Sequence, residues 1–206
     1  MFLRRIDLHV KPKLIIMKRT LLVTAFALLS CSAFSQDLAD LFEKNKLSVV
    51  TIYVQESVSE GTGDPRTFTS NEGLGSGVLI RDNIVLTASH VVANADRIMV
   101  QFYDGEAVAA TTRRISRTAD VALITLQRPP ADPHIAVIGN SDESRIGDAI
   151  FVVGAPMGLP YSLSTGVISG IHTERNLSND GKSLEFFQTD AAINTGNSGG
   201  PMYNYK

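Results

Sequence analysis

The chain has little cysteine and little positive charge, and each shortage excludes a class of protein. Cys31 is the only cysteine among 206 residues, so the fold cannot depend on a framework of disulfide bonds. Residues 36–206 contain 13 Lys and Arg against 20 Asp and Glu, a net charge of −7, without a basic patch. This balance argues against nucleic acid as a partner. No cluster of His, Cys and Asp has the spacing of metal ligands, so the residues indicate no metal site.

The first 35 residues have the order of a secretory signal peptide. Residues 17–19 are Met-Lys-Arg, residues 21–29 are largely apolar, and residues 33–35 offer an Ala-Phe-Ser cleavage site. The apolar run is too short to span a bilayer comfortably. We therefore predict a signal peptide over residues 1–35 and an exported protein, periplasmic or in the cell envelope. Met17 is an alternative translation start, and a buried first helix is the alternative interpretation of the segment.

Cys31 leaves attachment to the membrane as an open alternative. Residues 28–31, Leu-Leu-Ser-Cys, resemble a lipoprotein cleavage box, in which the cysteine becomes the lipidated first residue. This box competes with the cleavage site after Ser35, which would leave a mature chain without cysteine. We expect membrane association only if Cys31 is lipidated.

Beyond residue 35 the pattern is that of an all-β protein. Residues 36–46 predict a short helical lead-in, because their apolar residues share one face. Residues 56–72 lack hydrophobic periodicity and predict an exposed loop. Prolines at 129, 130 and 133 break any strand, which places the boundary between two halves after residue 132. Short strands separated by turn residues are predicted on both sides of that boundary, at residues 49–54, 75–80, 84–87, 97–103, 107–115, 121–126, 149–153, 163–172 and 184–189.

Residues 196–201, Gly-Asn-Ser-Gly-Gly-Pro, point to a serine nucleophile. A serine between glycines can sit on a tight loop with its hydroxyl exposed and its backbone N–H groups turned the same way. No histidine follows Ser198, which excludes the order found in α/β-hydrolases. The order here is His90, Asp120, Ser198, that of the chymotrypsin-type triad. His134 and His172 lack comparable context and are interpreted as structural.

Six strings in one order make the chain resemble the trypsin-like serine proteases of the HtrA/Deg branch. They lie at residues 73–80, 86–92, 119–123, 153–158, 164–170 and 188–201. The resemblance covers residues 47–204 and implies a chymotrypsin-like double β-barrel. Residues 47–132 would form the N-terminal β-barrel with His90 and Asp120. Residues 133–206 would form a partial C-terminal β-barrel with Ser198.

The resemblance also implies a role for each site residue. Ser198 is the nucleophile, His90 takes its proton and later returns it to the leaving amine, and Asp120 orients the imidazole. The oxyanion hole is assigned to Gly196, Asn197 and Ser198, with the N–H groups of Gly196 and Ser198 as donors. The family implies neither metal nor cofactor.

Substrate preference is indicated by the residues just before the nucleophile. In the resembled family the position five before the serine, here Ile193, lines the first substrate pocket. The position six before the serine is Ala192 rather than the aspartate of trypsin-like pockets. We therefore expect cleavage after small apolar residues. The resemblance further implies unfolded proteins or peptides as substrates, a role in envelope protein quality control, and a homo-oligomer such as a trimer.

The chain ends soon after its predicted nucleophile, whereas the family continues well past it. We therefore expect the second β-barrel to be incomplete, with unpaired strand edges. Two alternatives to an active endopeptidase follow: an inactive fragment, or a non-catalytic, chaperone-like binding module of the same fold. An esterase of this fold is a further alternative.

Overall fold

The computed structural model describes residues 38–59, 68–155, 161–175 and 183–205. Contacts divide the chain into two units, Met1–Leu41 and Phe42–Lys206. The described part of the first unit, residues 38–41, is helical and begins helix α1 (38–45). The predicted signal peptide, with Met17 and Cys31, lies outside the described residues. Within the described ranges, no helix has both the length and the apolarity that crossing a bilayer requires.

Six antiparallel strands of the second unit close into a barrel. Around the barrel their order is β1-β2-β3-β6-β5-β4. Their bounds are β1 (Val49–Ser59), β2 (Phe68–Arg81), β3 (Ile84–Ala88), β4 (Arg97–Gln101), β5 (Ala107–Ser116) and β6 (Val121–Leu126). Buried and exposed residues alternate along β4 and β6, which fills the interior with one face of each strand. The barrel core includes the fully buried Ile52, Leu79, Val85, Val100 and Ile124.

The second half forms an open antiparallel sheet of four strands in the order β10-β7-β8-β9. Their bounds are β7 (Ala149–Gly154), β8 (Ser162–Arg175), β9 (Ser183–Thr189) and β10 (Met202–Asn204). Its buried cluster is small and comprises Ile150, Val152, Ile168 and Ala191 within the described residues. One closed barrel beside an unclosed sheet agrees with the predicted all-β class and an incomplete second barrel.

The connection between the two halves, residues 127–148, contains no strand but is bonded to the barrel. Its 3-10 turn spans Ser141–Glu143. The Ala136 N–H donates to the Leu79 carbonyl oxygen at 2.9 Å. The Glu106 carboxylate accepts the Ala131 N–H at 2.7 Å and forms an ion pair with Arg128. The predicted boundary after residue 132 falls inside this connection.

The predicted loop at residues 56–72 is wrong at both ends. Strand β1 continues to Ser59 and β2 begins at Phe68, and the two stay in register along that length. Pairing through the backbone needs no alternation of apolar side chains, so hydrophobic periodicity did not reveal this ribbon. Strand β8 likewise continues beyond its predicted end at residue 172, and β10 has no predicted counterpart. The predicted connection at residues 176–182 lies outside the described residues.

Candidate active site

His90 and Asp120 meet at one end of the barrel. His90 lies in helix α2 (Ser89–Val92), which directly follows β3, and Asp120 directly precedes β6. Strands β3 and β6 are neighbours with Ala88 opposite Val121, so their register brings the adjoining residues together. His90 Nδ1 lies 2.7 Å from Asp120 Oδ2, and the His90 backbone N–H donates to Asp120 Oδ1 at 2.9 Å.

The Asp120 carboxylate is held in its ionised form. Partial burial raises the pKa of Asp120, but hydrogen bonds from the backbone N–H and the imidazole of His90 outweigh it and hold the pKa below its usual value. An ionised carboxylate only accepts hydrogen bonds, so His90 Nδ1 carries the hydrogen. This tautomer, assigned from the hydrogen bond, leaves a lone pair on Nε2. The pair can therefore act as a general base.

The backbone of Asp120 is unusual for a residue with a side chain. Its φ is 49°, in the left-handed region, where aspartate is tolerated better than most residues. The Ser89 N–H donates to the Asp120 carbonyl oxygen at 3.1 Å, which helps to hold this conformation. Backbone outliers of this kind concentrate at functional sites.

Ser198 lies on the loop between β9 and β10, where glycines permit a tight turn. Gly196 and Gly199 have φ values of 102° and 82°, in the region that favours glycine. A Cβ at Gly199 would also lie 2.2 Å from the Thr87 side-chain oxygen. Gly199 is therefore required by both backbone conformation and close packing, and Gly196 by its backbone conformation.

The hydrogen bonds of this loop show which of the residues predicted for the oxyanion hole have an N–H group that is not already bonded. The Asn197 N–H donates to the Asn194 carbonyl oxygen at 3.0 Å. Asn197 therefore does not belong in the hole as a donor, because its N–H already has an acceptor. In the described part of the chain, the N–H groups of Gly196 and Ser198 donate to no protein acceptor. These two remain the candidate donors.

The base and the nucleophile loop approach each other at Gly75 of β2. A Cβ at Gly75 would lie 2.5 Å from the Val91 side chain and 3.3 Å from the Ser198 carbonyl oxygen. Val91 follows His90 in α2. The missing side chain at Gly75 thus lets helix α2 and the Ser198 backbone reach the same point on the barrel.

The contact between the nucleophile and the base of a catalytic triad is not formed among the described residues. Across the described ranges, no hydrogen bond joins the Ser198 hydroxyl to His90. The side chains of His90 and Asp120 are 58% and 52% exposed, whereas the acid of the standard triad is buried. Catalytic hydrogen bonds are often long in ligand-free sites and tighten when substrate binds. The structure thus brings two predicted residues into contact and places the backbone of the third nearby.

Ser76, one residue beyond Gly75, is a site residue that sequence reasoning missed. It is fully buried, and its hydroxyl donates to the Gly196 carbonyl oxygen at 2.6 Å. Its N–H donates to the Ser198 carbonyl oxygen at 2.8 Å. The available signal was the Gly-Ser-Gly sequence at residues 75–77, since glycine inside a strand marks close approach of another backbone.

The other predicted residues lie outside this network. Ile193 is exposed on the loop that leads to Ser198. His134 pairs with Asp132 at 3.1 Å, and His172 pairs with Gln188 at 2.9 Å. In the regions that the structure covers, no group of three or more His, Cys, Asp or Glu could hold a metal ion.

A closed antiparallel barrel with a His–Asp pair, joined to a second sheet with a glycine-bounded serine, defines the class of trypsin-like serine peptidases. The sequence matches the family described as "Trypsin-like peptidase domain" over residues 75–206. The chain belongs to this family.

Two similar curated proteins are named as bacterial serine endoproteases. The chain is 36% identical over 186 residues to the "Periplasmic pH-dependent serine endoprotease DegQ" of Escherichia coli (strain K12), covering 81% of the chain and 39% of that protein. It is 40% identical over 136 residues to a "Probable periplasmic serine endoprotease DegP-like" of Ectopseudomonas mendocina (strain ymp), covering 66% and 28%. The chain thus spans well under half the length of these relatives.

Solved structures give the same result. A structure described as "HtrA-type protease AlgW with tripeptide" matches with a TM-score of 0.66 and 30% identity, covering 81% of this chain and 50% of that one. A second, "HtrA-type protease AlgW with decapeptide", matches with a TM-score of 0.65 and 29% identity, covering 81% and 55%. These similarities confirm the predicted resemblance to the HtrA branch and the fold class.

Proposed function

We propose that this protein is an exported serine endopeptidase that hydrolyses peptide bonds with His90, Asp120 and Ser198. The observation that carries the proposal is the convergence at Gly75 of the His90 helix and the Ser198 loop, beside a His–Asp pair whose Nε2 is free to accept a proton. Family membership supports the same chemistry.

The steps follow from these positions. Ser198 Oγ attacks the scissile carbonyl carbon while His90 Nε2 takes its proton, and Asp120 stabilises the resulting imidazolium. The N–H groups of Gly196 and Ser198 receive the negative charge that develops on the carbonyl oxygen. His90 then returns the proton to the leaving amine. A water molecule, activated in the same way, releases the acyl group from Ser198.

The proposed substrates are unfolded or damaged proteins of the cell envelope. The curated relatives are named as periplasmic endoproteases, and the similar solved structures hold a tripeptide and a decapeptide. Ile193, exposed just before the nucleophile, is the proposed contact for a small apolar residue before the cut. A homotrimer, and membrane attachment if Cys31 is lipidated, complete the proposal. Light scattering and mass spectrometry of the mature N-terminus test these two points.

The experiment that tests the activity is digestion of an unfolded protein. We expect the purified protein to degrade casein into peptides whose new C-termini are small and apolar, as read by mass spectrometry. Ser198→Ala should abolish degradation, and Ser141→Ala, which changes an exposed serine in the connection, should not. Casein cleavage that survives Ser198→Ala, or cleavage mainly after Lys or Arg, contradicts the proposal.

The absence of a bond between the Ser198 hydroxyl and His90 in the described structure favours a second candidate, a non-catalytic module that holds unfolded chains. The two candidates differ in the reactivity of Ser198, since only an activated hydroxyl reacts rapidly with a fluorophosphonate. Suppression of casein aggregation without any labelling of Ser198 would support the second candidate.

A further inference from the structure

Ser76 forms a buried junction between the barrel and the loop that carries Ser198. Its hydroxyl donates to the Gly196 carbonyl oxygen at 2.6 Å and accepts the N–H of Ala155, the residue just after β7, at 2.9 Å. Its backbone N–H donates to the Ser198 carbonyl oxygen at 2.8 Å. One residue of the first barrel therefore holds the nucleophile loop at two carbonyl groups and the second sheet at one N–H group.

The bond to Gly196 acts on one peptide unit, that between Gly196 and Asn197. The carbonyl oxygen of this unit accepts from Ser76 Oγ, and its N–H donates to the Asn194 carbonyl oxygen. Both poles of the peptide are therefore bonded, which opposes its rotation. This matters because Gly196, at φ 102°, lacks the side chain that would otherwise restrict rotation about its backbone bonds.

The same peptide unit separates the two candidate oxyanion donors. The Gly196 N–H belongs to the preceding peptide and the Ser198 N–H to the following one. Rotation of the unit between them would change the direction of one donor relative to the other. An oxyanion hole depends on donors that are fixed before the charge develops, so the restraint on this peptide bears directly on catalysis.

We propose that the Ser76 hydroxyl is a positioning group for the oxyanion hole, which keeps the N–H groups of Gly196 and Ser198 directed at one point. The inference rests on the proposed function. Ser76 is not a catalytic residue, because its hydroxyl is buried and bonded to backbone on both sides. It acts through the Gly196–Asn197 peptide.

A purely structural role makes a different prediction, and Ser48 supplies the matched control. Ser48 is also a buried serine. Its hydroxyl donates to the Asn45 carbonyl oxygen at 2.8 Å and lies 3.0 Å from the Tyr203 hydroxyl of β10. Ser48→Ala therefore removes the hydroxyl of another buried serine, one that joins the residues just before β1 to strand β10 of the second sheet. It leaves the nucleophile loop unchanged.

The test is the kinetics of Ser198 modification by a peptidyl diphenyl phosphonate with valine next to phosphorus. In this reaction Ser198 Oγ bonds to phosphorus, phenoxide leaves and takes up the serine proton, and a phosphonyl oxygen occupies the oxyanion position. The maximal rate and the half-saturating concentration are measured separately, and urea unfolding gives the stability of each variant. We expect Ser76→Ala to lower the maximal rate about 10- to 100-fold, below the loss caused by removing a donor outright, with an unchanged half-saturating concentration.

Controls separate this inference from the proposed function. Ser48→Ala should react at the wild-type rate even where urea shows equal destabilisation. Ser76→Cys keeps a side chain of similar size but weakens the hydrogen bond to the Gly196 carbonyl oxygen, so its maximal rate should lie between those of the wild type and Ser76→Ala. If Ser76→Ala does not fold, Ser76→Cys provides the test. Wild-type maximal rates in both Ser76 variants, or equal losses in Ser76→Ala and Ser48→Ala, overturn the positioning role alone. If Ser198 is not modified in the wild-type protein, both the proposed function and the positioning role are overturned.

Discussion

The closed barrel and the open sheet contribute different halves of the candidate site, and their buried apolar clusters differ in size. Among the residues that the structure describes, the barrel cluster has thirteen buried apolar residues and the cluster of the sheet has four. The barrel carries the His–Asp pair on strand ends that are fixed by their register. The sheet carries the nucleophile on a loop that two hydrogen bonds from Ser76 attach to the barrel. The half with the larger buried cluster thus helps to position the nucleophile loop of the other half.

The largest expected effect comes from the barrel half, on Asp120→Asn. Asparagine tolerates the left-handed backbone as well as aspartate does, so the fold should be retained. Its side-chain NH2 cannot accept the hydrogen of His90 Nδ1, which favours the wrong tautomer. We expect hydrolysis of casein to fall about 10⁴-fold. Asp104→Asn, which changes a carboxylate that accepts a turn N–H, should retain activity, and a similar loss in both variants would contradict the assignment of Asp120.

The packing difference can be tested with one substitution made in both halves. Ile124 lies in the barrel cluster and Ile168 in the sheet cluster, and both are almost fully buried. Truncation to alanine costs more where the surroundings cannot relax into the cavity. We expect Ile124→Ala to lower the free energy of unfolding by about 4 kcal/mol and Ile168→Ala by about 2 kcal/mol, measured by urea denaturation. An equal or reversed order would show that the sheet is as rigidly packed as the barrel.

The parts of this architecture that could be predicted are those with local sequence signals. Short apolar runs bounded by turn residues indicated β4 and β6, and glycines around Ser198 indicated a tight loop with an exposed hydroxyl. The chain order of His90, Asp120 and Ser198 indicated the class. The left-handed backbone of Asp120 could not be predicted, because the bond that helps to hold it comes from the Ser89 N–H, far away in the sequence. The bond from the Asn197 N–H to the Asn194 carbonyl oxygen is local, but glycine spacing alone does not show which N–H groups of a turn are bonded.

The role of Ser76 also could not be predicted from local sequence signals. Its hydroxyl meets Gly196, 120 positions later in the chain, and a serine in a strand carries no sign of its partner. The paired ribbon of β1 and β2 beyond residue 56 was missed for a related reason, since ladder bonds between backbones do not require apolar side chains.

A smaller effect is expected at the bond between Tyr203 of β10 and Ser48, which joins the sheet to the start of the barrel. Tyr203→Phe removes the hydroxyl but keeps the ring stacked on Phe151, whose centroid lies 5.1 Å away. We expect a loss of about 1 kcal/mol in unfolding free energy. Tyr53→Phe removes an exposed hydroxyl bonded to Gln101 and should change stability less than Tyr203→Phe does. If the order of these two losses is reversed, the bond to Ser48 does not help to join the halves.

The smallest effect concerns Glu106, which ties the connection to the barrel. The Ala131 N–H, followed by Arg128, holds the pKa of Glu106 below its usual value despite some desolvation. A carboxyl whose folded-state pKa is lowered stabilises the fold above its unfolded pKa, about 4.3, and this contribution is lost as the pH falls through the folded value. Between pH 7 and pH 3 the urea midpoint of the wild-type protein should therefore fall further than that of Glu106→Gln. Parallel midpoints would contradict the pairing.

Labelling of the nucleophile shows directly whether the imidazole of His90, on the barrel, activates the Ser198 hydroxyl, on the loop of the second sheet. Wild-type, His90→Ala and His172→Ala proteins are treated with a fluorophosphonate, and the modified residue and its rate are found by peptide mapping. We expect modification at Ser198, slowed about 10³-fold by His90→Ala and unchanged by His172→Ala. Equal rates in the wild-type and His90→Ala proteins, or modification at a different residue, would contradict this expectation.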